Sequence, residues 1–296
     1  LNDSTGLTDA LTLNLNPTTG ATASFTLGTI TDVTGLETFT IVSNGSSNAI
    51  VNTVTNNAIT ANQVARGAGS LILTNAIASA QLDATNLTGN LTATARAAGS
   101  NIQGGSGADT LTGGAGIDVL VGNAGNDIIQ GGALADTLRG GAGTNQFQYG
   151  AAASVAANDG SDVDNIVDFK ASGGDTIALL STANGTAGDI LVGVTLTTAT
   201  AAMSAPLAVI TDGTAVNSIA NVYTQLAAQL TAANNAASAA DGTATVARVV
   251  TFTNGTAAGS YLVINDANAA FQGANDIVMN ITGYTGSVSA ASFAFV

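Results

Sequence analysis

The sequence predicts a mainly all-β protein, a β-solenoid of parallel stacked strands followed by a C-terminal β-rich region that contains one helix. Three observations predict this fold class. Apolar alternations typical of strands recur between turns rich in Asn, Gly, Ser and Thr. Five nine-residue repeats follow one another without a gap over residues 104–148, and a short fixed period is typical of stacked turns. Only 4% of the residues are aromatic and 36 are glycine, which suits stacked strands joined by tight turns.

The composition excludes several classes of protein. The 296-residue chain has no Cys and no His, which excludes disulfides, Cys/His zinc sites and imidazole catalysis. The formal net charge is −14 with only five basic residues, so the chain lacks the basic stripe that nucleic acids require. No apolar run reaches the roughly 18 residues that a membrane-spanning helix needs. We therefore expect neither nucleic-acid binding nor membrane insertion.

Residues 1–103 form the first predicted region, a Thr/Ala-rich β-repeat. Its strand candidates are 10–16, 38–44, 70–75 and 90–95. Their small residues and irregular spacing fit a solenoid-like stack, with a β-sandwich as the alternative. The sequence starts at Leu1 rather than Met and shows no signal-peptide pattern. We expect it to be the C-terminal piece of a longer protein.

The second predicted region, residues 104–180, opens with GGSGADTLT, GGAGIDVLV, GNAGNDIIQ, GGALADTLR and GGAGTNQFQ. In each repeat, positions one to six predict a turn and positions seven to nine predict a short strand. Two repeats make one full coil, so turns on the same side are two repeats apart. One row then holds Asp109, Asp127 and Asn145, and the other row holds Asp118 and Asp136. The eighth positions point inward as the core, and they are Leu111, Leu120, Ile129, Leu138 and Phe147.

These turns have the chemistry of a hard cation site. Glycine permits positive φ, which lets a tight turn aim several carbonyl oxygens at one point. The sixth-position Asp adds a carboxylate, and an all-oxygen site is what Ca²⁺ selects. A single turn of this kind would be a weak signal, because solvated Asp-Gly turns are common; four in register are much more specific. Since the predicted core is thin, we expect the metal to hold the stack together.

The tandem GGxGxDxUx pattern resembles the RTX, or hemolysin-type, calcium-binding repeats. The resemblance implies a parallel β-roll, secretion by a type I apparatus and folding triggered by external calcium. It implies that the ligands are the side chains of Asp109, Asp118, Asp127, Asp136 and Asn145, with turn carbonyls of Gly105, Gly107, Gly114, Gly116, Asn123 and Gly125.

Three positions depart from the repeat pattern. Asn123 replaces the second glycine, which is tolerable because Asn accepts positive φ. Leu134 replaces the fourth-position glycine of its repeat, and Asn145 replaces Asp. The last two substitutions weaken the final sites, so we expect about three ions in the nonapeptides rather than five.

The flanking segments resemble further parts of secreted proteins. DNIVDFKASGGDTIAL, residues 164–179, is similar to the segment that closes RTX rolls, with strands expected at 165–169 and 175–180. Asp168 and Asp175 are candidate ligands of one more ion, and a cap with solvated aspartates is the alternative. Upstream, GLETFTIVSNGS and AQLDATNLTGNLTATA resemble the Thr/Ala-rich repeats of calcium-dependent surface-layer proteins.

Residues 181–296 form the third predicted region, β-rich with one helix. Ile219, Val222, Leu226 and Leu230 follow helical spacing within an Ala-rich stretch, so we expect a helix from 217 to about 240. Strand candidates are 245–253, 259–265, 276–282 and 291–296. The end of the chain, uncharged after Asp276, resembles the uncleaved signals read by type I secretion, with a sheet edge as the alternative.

These expectations combine into a functional hypothesis. We expect no enzyme, because nucleophile–His machinery and phosphate loops are absent from the sequence. We expect a secreted structural protein of the bacterial cell surface that folds on binding several Ca²⁺ ions and self-assembles into a surface layer. Its expected partner is another copy of itself, with cell-surface polysaccharide as a further candidate. The alternatives are a module of a large RTX adhesin and the export tail of a secreted enzyme.

Overall fold

A computed structural model describes residues 9–15, 23–26, 36–44, 51–55, 61–74, 76–150, 163–180, 209–226, 246–265 and 277–295. The chain divides into two compact units. Unit 1 comprises Leu1–Gly132 and Leu138–Gln146, and unit 2 comprises Ala133–Thr137 and Phe147–Val296.

Unit 1 consists of parallel strands that alternate between two sheets. Its strands are β1 (Asp9–Leu15), β2 (Ala23–Thr26), β3 (Leu36–Ser43), β4 (Val51–Thr55), β5 (Asn62–Gly67), β6 (Ser70–Leu73), β7 (Gln81–Leu87), β8 (Leu91–Thr94), β9 (Asn101–Gln103), β10 (Thr110–Thr112), β11 (Val119–Val121) and β12 (Ile128–Gln130). One sheet has the order β1-β3-β5-β7-β9-β11 and the other β2-β4-β6-β8-β10-β12. Consecutive strands therefore lie in opposite sheets, and each turn carries the chain across. This two-sided coil confirms the predicted β-roll of parallel stacked strands.

The length of one coil shortens along unit 1. Thr38 pairs with Ala10, whereas Ile102 pairs with Leu82, which is much nearer in the sequence. In the nonapeptides one coil spans two repeats, as predicted, because Leu111 pairs with Ala93, which lies the length of two repeats earlier in the sequence. The pairing also continues across residue 103. The described residues before it are thus stacked parallel strands, and the sandwich alternative does not apply to them.

The core of the nonapeptide coils consists of one inward side chain per short strand. In β10, β11 and β12 the middle residue is buried and its two neighbours are more exposed. The predicted eighth-position residues Leu111, Leu120, Ile129, Leu138 and Phe147 are all at most 1% exposed. Successive side chains of a strand point to opposite faces, so only the middle residue of each three-residue strand points into the core. Because each nonapeptide contains one such strand, a buried residue recurs at every ninth position.

Unit 2 combines further coil-like strands with an antiparallel meander. The boundary between the units falls inside β13 (Thr137–Arg139), after Thr137, and β14 (Gln146–Gly150) begins at the last residue of unit 1. The other strands of unit 2 are β15 (Asp164–Ile166), β16 (Thr176–Leu180), β17 (Val209–Ala215), β18 (Val246–Asn254), β19 (Gly259–Asn265), β20 (Ile277–Asn280) and β21 (Phe293–Phe295). One series runs β15-β20-β19-β18-β17 and the other β14-β16-β21. The pairs β18–β19 and β19–β20 are antiparallel, while β15–β20, β16–β21 and β17–β18 are parallel.

The C-terminal part of unit 2 has its own hydrophobic core. Residues 219–226 are helical, and Val222 and Leu226 pack in one cluster with Phe252 and Tyr261. The predicted helix is confirmed over these residues and begins at 219 rather than 217; its predicted continuation from 227 to about 240 lies outside the described residues. The helical stripe is therefore core packing, as its spacing indicated. The three-region division of the chain stays a prediction.

Candidate metal site

The turns of the last three nonapeptides have left-handed backbone conformations at the second and fourth positions, two of the three that the repeat reserves for glycine. Gly125 has φ 126° and Gly132 has φ 108°. The two non-glycine residues there, Asn123 with φ 73° and Leu134 with φ 69°, follow the same conformation. Asn123 therefore takes the positive φ that was expected of it. Leu134 takes it too, although a branched side chain is strained in this region.

Close stacking of the turns explains why most of these positions are glycine. A Cβ atom on Gly125 would collide with the carbonyl oxygen of Gly107, one coil earlier, and a Cβ on Gly132 would collide with that of Gly114. Backbone carbonyls thus point from one turn at the next turn of the same row. This is the arrangement that a row of oxygen ligands requires.

The aspartates of one row are joined from coil to coil by hydrogen bonds. The Asp109 N–H donates to Asp127 Oδ1 at 2.8 Å, and the Asp127 N–H donates to Asn145 Oδ1 at 3.1 Å. At the start of the row, the Leu91 N–H donates to Asp109 Oδ1 at 2.7 Å. The structure therefore brings Asp109, Asp127 and Asn145 together as the spacing predicted.

The second carboxylate oxygen is directed into its own turn. The Gly105 N–H donates to Asp109 Oδ2 at 2.7 Å, and the Gly114 N–H donates to Asp118 Oδ2 at 2.8 Å. Asp118 Oδ1 accepts from the Ser100 N–H at 2.5 Å. Each carboxylate is thereby fixed at the junction of two stacked turns. Asp118 belongs to unit 1 and Asp136 to unit 2, and both are at most 1% exposed.

Burial makes these carboxylates poor anions on their own. Burial raises the pKa of Asp109 to about 7, and the negative charge of Asp127 acts in the same direction. The N–H groups of Leu91 and Gly105, which donate to this carboxylate, lower the pKa and offset part of the shift. Burial likewise raises the pKa of Asp127 to about 6. The pKa of Asp118 is also raised by burial, although backbone N–H groups and the charge of Arg96 oppose the shift. Buried anions of this kind are stabilised by a cation.

The donor set fits a hard divalent cation. Asp127 Oδ2 is buried and accepts no hydrogen bond, so a carboxylate oxygen remains for a further ligand contact. In the described parts of the chain, no three carboxylates converge on one point. An ion in these rows would therefore take many of its ligands from turn carbonyls. Carbonyl-rich oxygen sites are typical of Ca²⁺.

The other predicted ligands lie in the same turns. The carbonyl oxygen of Gly105 accepts from the Ala124 N–H at 3.2 Å, and that of Asn123 from the Ala142 N–H at 2.6 Å. The backbone of Gly116 lies against Gly99 of the previous coil. Together with Gly107 and Gly114, these residues line the stacked turns where the repeat pattern placed them.

In the closing segment, the two candidate ligands lie in different surroundings. Asp175 is 1% exposed and accepts from the Lys170 N–H at 2.9 Å, whereas Asp168 is half-buried in the turn after β15. Sequence reasoning missed Asp164, whose Oδ1 accepts from the Asp136 N–H at 2.9 Å. The signal that could have identified it is Asp164-Asn165-Ile166, which repeats the Asp-x-aliphatic pattern of the nonapeptides.

Comparison with known families agrees with this geometry. A profile of the RTX calcium-binding nonapeptide repeat matches the chain in four copies, over residues 103–138 and 121–152. No curated protein matches the chain. Among the described residues, no helix has both the length and the apolarity needed to cross a membrane. RTX repeat proteins are typically secreted, and their nonapeptides bind Ca²⁺. The profile match and the geometry agree, and the turns and strands over residues 103–152 are therefore RTX calcium-binding nonapeptide repeats.

Proposed function

We propose that this chain is a structural protein of the bacterial cell surface that folds on binding extracellular Ca²⁺ and assembles with copies of itself into a surface layer. The observation that carries the proposal is the stack of unit 1, in which calcium-binding turns continue directly from Thr/Ala-rich coils. Extracellular modules have Kd values of about 10⁻⁴ to 10⁻³ M for calcium, so their sites fill outside the cell. Before export, low calcium leaves the rows of carboxylates without their cations.

The proposed ligands are the aspartates of the two rows and the turn carbonyls beside them. Asp109, Asp118, Asp127 and Asp136 supply carboxylates, and Asn145 supplies an amide oxygen. The carbonyls are those of Gly105, Gly107, Gly114, Gly116, Asn123 and Gly125. We expect about three ions in these nonapeptides, with Asp168 and Asp175 as candidates for one more.

We further propose that the chain has no catalytic role. With no His and no Cys, a nucleophile or base would have to come from carboxylates, hydroxyls or amines. Among the residues of unit 1 that the structure describes, the most strongly buried carboxylates are those of the repeat turns, and they accept backbone hydrogen bonds there. Buried groups of this kind stabilise stacked turns and do not face a substrate.

The proposed partner is a second copy of the chain, with cell-surface polysaccharide as a further candidate. Support comes from the low charge of the chain, of which only 8% is Asp, Glu, Lys or Arg. A β-surface with few long charged side chains loses little side-chain entropy when it is covered by a copy of itself.

Calcium titration followed by circular dichroism and electron microscopy on the same sample tests the proposal. We expect a cooperative gain of β-signal and then ordered sheets, with Mg²⁺ at equal concentration as the control. Magnesium prefers strict octahedral geometry and keeps its waters, so it should be much less effective. A gain of β-signal that leaves the protein dispersed would contradict the surface layer and favour an adhesin module or an export tail. No response to calcium would contradict the calcium-dependent folding itself.

A further inference from the structure

Unit 2 contains a buried polar group that the two rows do not explain. Tyr149 lies in β14 and is 2% exposed. Its hydroxyl faces the Asp164 carboxyl closely but completes no hydrogen bond of good geometry. Burial, and then the negative charges of Asp164 and Asp136, raise the pKa of this hydroxyl well above its ordinary value. A buried hydroxyl without a well-formed hydrogen bond, beside two carboxylates, indicates that a further group belongs among the three side chains.

Asp164 is joined to Asp136 by a specific pair of backbone contacts. The Asp136 N–H donates to Asp164 Oδ1 at 2.9 Å. The N–H of the next residue, Asn165, donates to the Asp136 carbonyl oxygen at 2.8 Å. Both aspartates are 1% exposed, so their carboxylates lie inside unit 2.

The same pair of contacts joins two aspartates of the nonapeptides. The Asp109 N–H donates to Asp127 Oδ1 at 2.8 Å, and the Ile128 N–H donates to the Asp109 carbonyl oxygen at 2.8 Å. Asp164 is therefore related to Asp136 as Asp127 is to Asp109. The sequence separation is 28 residues in the first pair and 18 in the second, which hides the equivalence from a search for a fixed period.

The side chains around Asp164 also follow the repeat. Ile166, two residues later, is 0% exposed and takes the inward place of the eighth-position residues. The family profile nevertheless ends at residue 152, so Asp164 lies outside the recognised repeats. The longer separation in sequence therefore leaves the backbone contacts of the aspartate unchanged.

We propose that Asp136 and Asp164 hold one further calcium ion, with the Tyr149 hydroxyl at the wall of the site, so that the row of sites continues past the last recognised repeat. Two carboxylates match the charge of a divalent cation, and the phenol adds a neutral oxygen, all of them hard donors. The inference rests on the proposed function, because it requires that the rows of aspartates bind calcium.

Counting bound calcium by equilibrium dialysis tests the site. We expect Asp164→Asn to bind one ion fewer than the unmodified chain. Asp83→Asn, which removes the same charge from an exposed aspartate in β7, should bind the full number. Asp127→Asn tests the nonapeptide rows separately. If Asp127→Asn loses calcium and Asp164→Asn does not, the further site is wrong and the proposed function stands. If neither loses calcium, the ligand assignment in the rows fails as well.

Terbium luminescence gives a second test that does not depend on how well Asp164→Asn folds. Tb³⁺ occupies oxygen sites of the Ca²⁺ type and emits when a nearby aromatic ring transfers energy to it. The chain has no Trp and four Tyr, and excitation in the tyrosine absorption band, where phenylalanine absorbs little, makes tyrosine the donor. We expect Tyr149→Phe to lose most of the tyrosine-sensitised emission, and Tyr284→Phe, a change in a C-terminal turn, to keep it. Equal emission from the two variants would overturn the proposed site.

Discussion

At the scale of single residues, the aspartates of the repeat turns combine two properties that oppose each other. They are almost fully buried, and in the proposed function they are ligands of the bound ion. Burial favours the protonated carboxyl, while a cation favours the carboxylate. Protons and calcium therefore compete for the same atoms.

This competition predicts a pH dependence whose sign depends on calcium. The pKa of Asp109 is raised from 3.8 to about 7 and that of Asp127 to about 6. Without calcium, these two protonated carboxyl groups contribute fully to the stability of the folded state below pH 3.8. The contribution is lost as the pH rises through about 6 for Asp127 and about 7 for Asp109. We expect the free energy of unfolding in EDTA to fall between about pH 5 and about pH 8. Calcium should reverse this loss, and its effect should diminish below about pH 6, where protons displace it.

Urea unfolding followed by circular dichroism at the two pH values, in EDTA and in calcium, measures this dependence. Asp127→Asn is the matched control, because it keeps the shape of the side chain and removes its titration. The fall in EDTA should be smaller in this variant. A stability in EDTA that rises between the two pH values would contradict the account.

At the scale of elements, the strands of the nonapeptides are too short to be stable alone. Each has three residues and buries one apolar side chain. An isolated strand of this length has no stability of its own, so it depends on its neighbours in the stack. The inward residue of each strand should therefore be unusually sensitive to truncation.

Leu120→Ala tests the importance of the inward residue. Leu120 is 0% exposed in the middle of β11, and its truncation should cost about 2–5 kcal/mol of the free energy of unfolding. Its neighbour Val119 is 36% exposed, so Val119→Ala should cost only about 0.5 kcal/mol. Urea unfolding in saturating calcium measures both variants. Equal costs would show that the single inward side chains do not form the core.

The regular elements were predictable from sequence, and the irregular ones were not. A fixed period places Leu111 and Asp109 correctly, because every residue of a repeat has the same environment in each coil. Asp164 was missed because additional residues interrupt the period before it. The partners of β1 and β2 were also not predictable, since coils of changing length give no register. Propensity alone also does not show that Leu134 adopts a left-handed φ.

At the scale of the whole molecule, the chain carries a net charge of −14 and only five basic residues to balance it. Calcium differs here from an ordinary salt. Sodium ions screen exposed charges over about 10 Å at 0.1 M ionic strength, but they screen buried pairs much less. The carboxylates of the repeat turns are buried, so a bound divalent ion should act where screening does not.

Thermal melting in calcium chloride and in sodium chloride of equal ionic strength tests this difference. At ten times its Kd, each calcium ion adds about 1.4 kcal/mol, so three ions add about 4 kcal/mol and raise Tm by several degrees. Sodium chloride should raise Tm much less. Equal shifts in the two salts would mean that calcium acts by screening alone and that the buried carboxylates do not bind it.

The shortening of the coils along unit 1 has a mechanical consequence. When such a stack is pulled from its ends, it comes apart one coil at a time, because each coil is held only by its neighbours. A coil of two nonapeptides releases about 60 Å of chain, and the longer coil between Ala10 and Thr38 releases about 95 Å. The Thr/Ala-rich end therefore lengthens in large steps, and the calcium-binding end in small ones. Such a chain would absorb tension in graded steps, with its longest extensions at the Thr/Ala-rich end and its shortest at the nonapeptides.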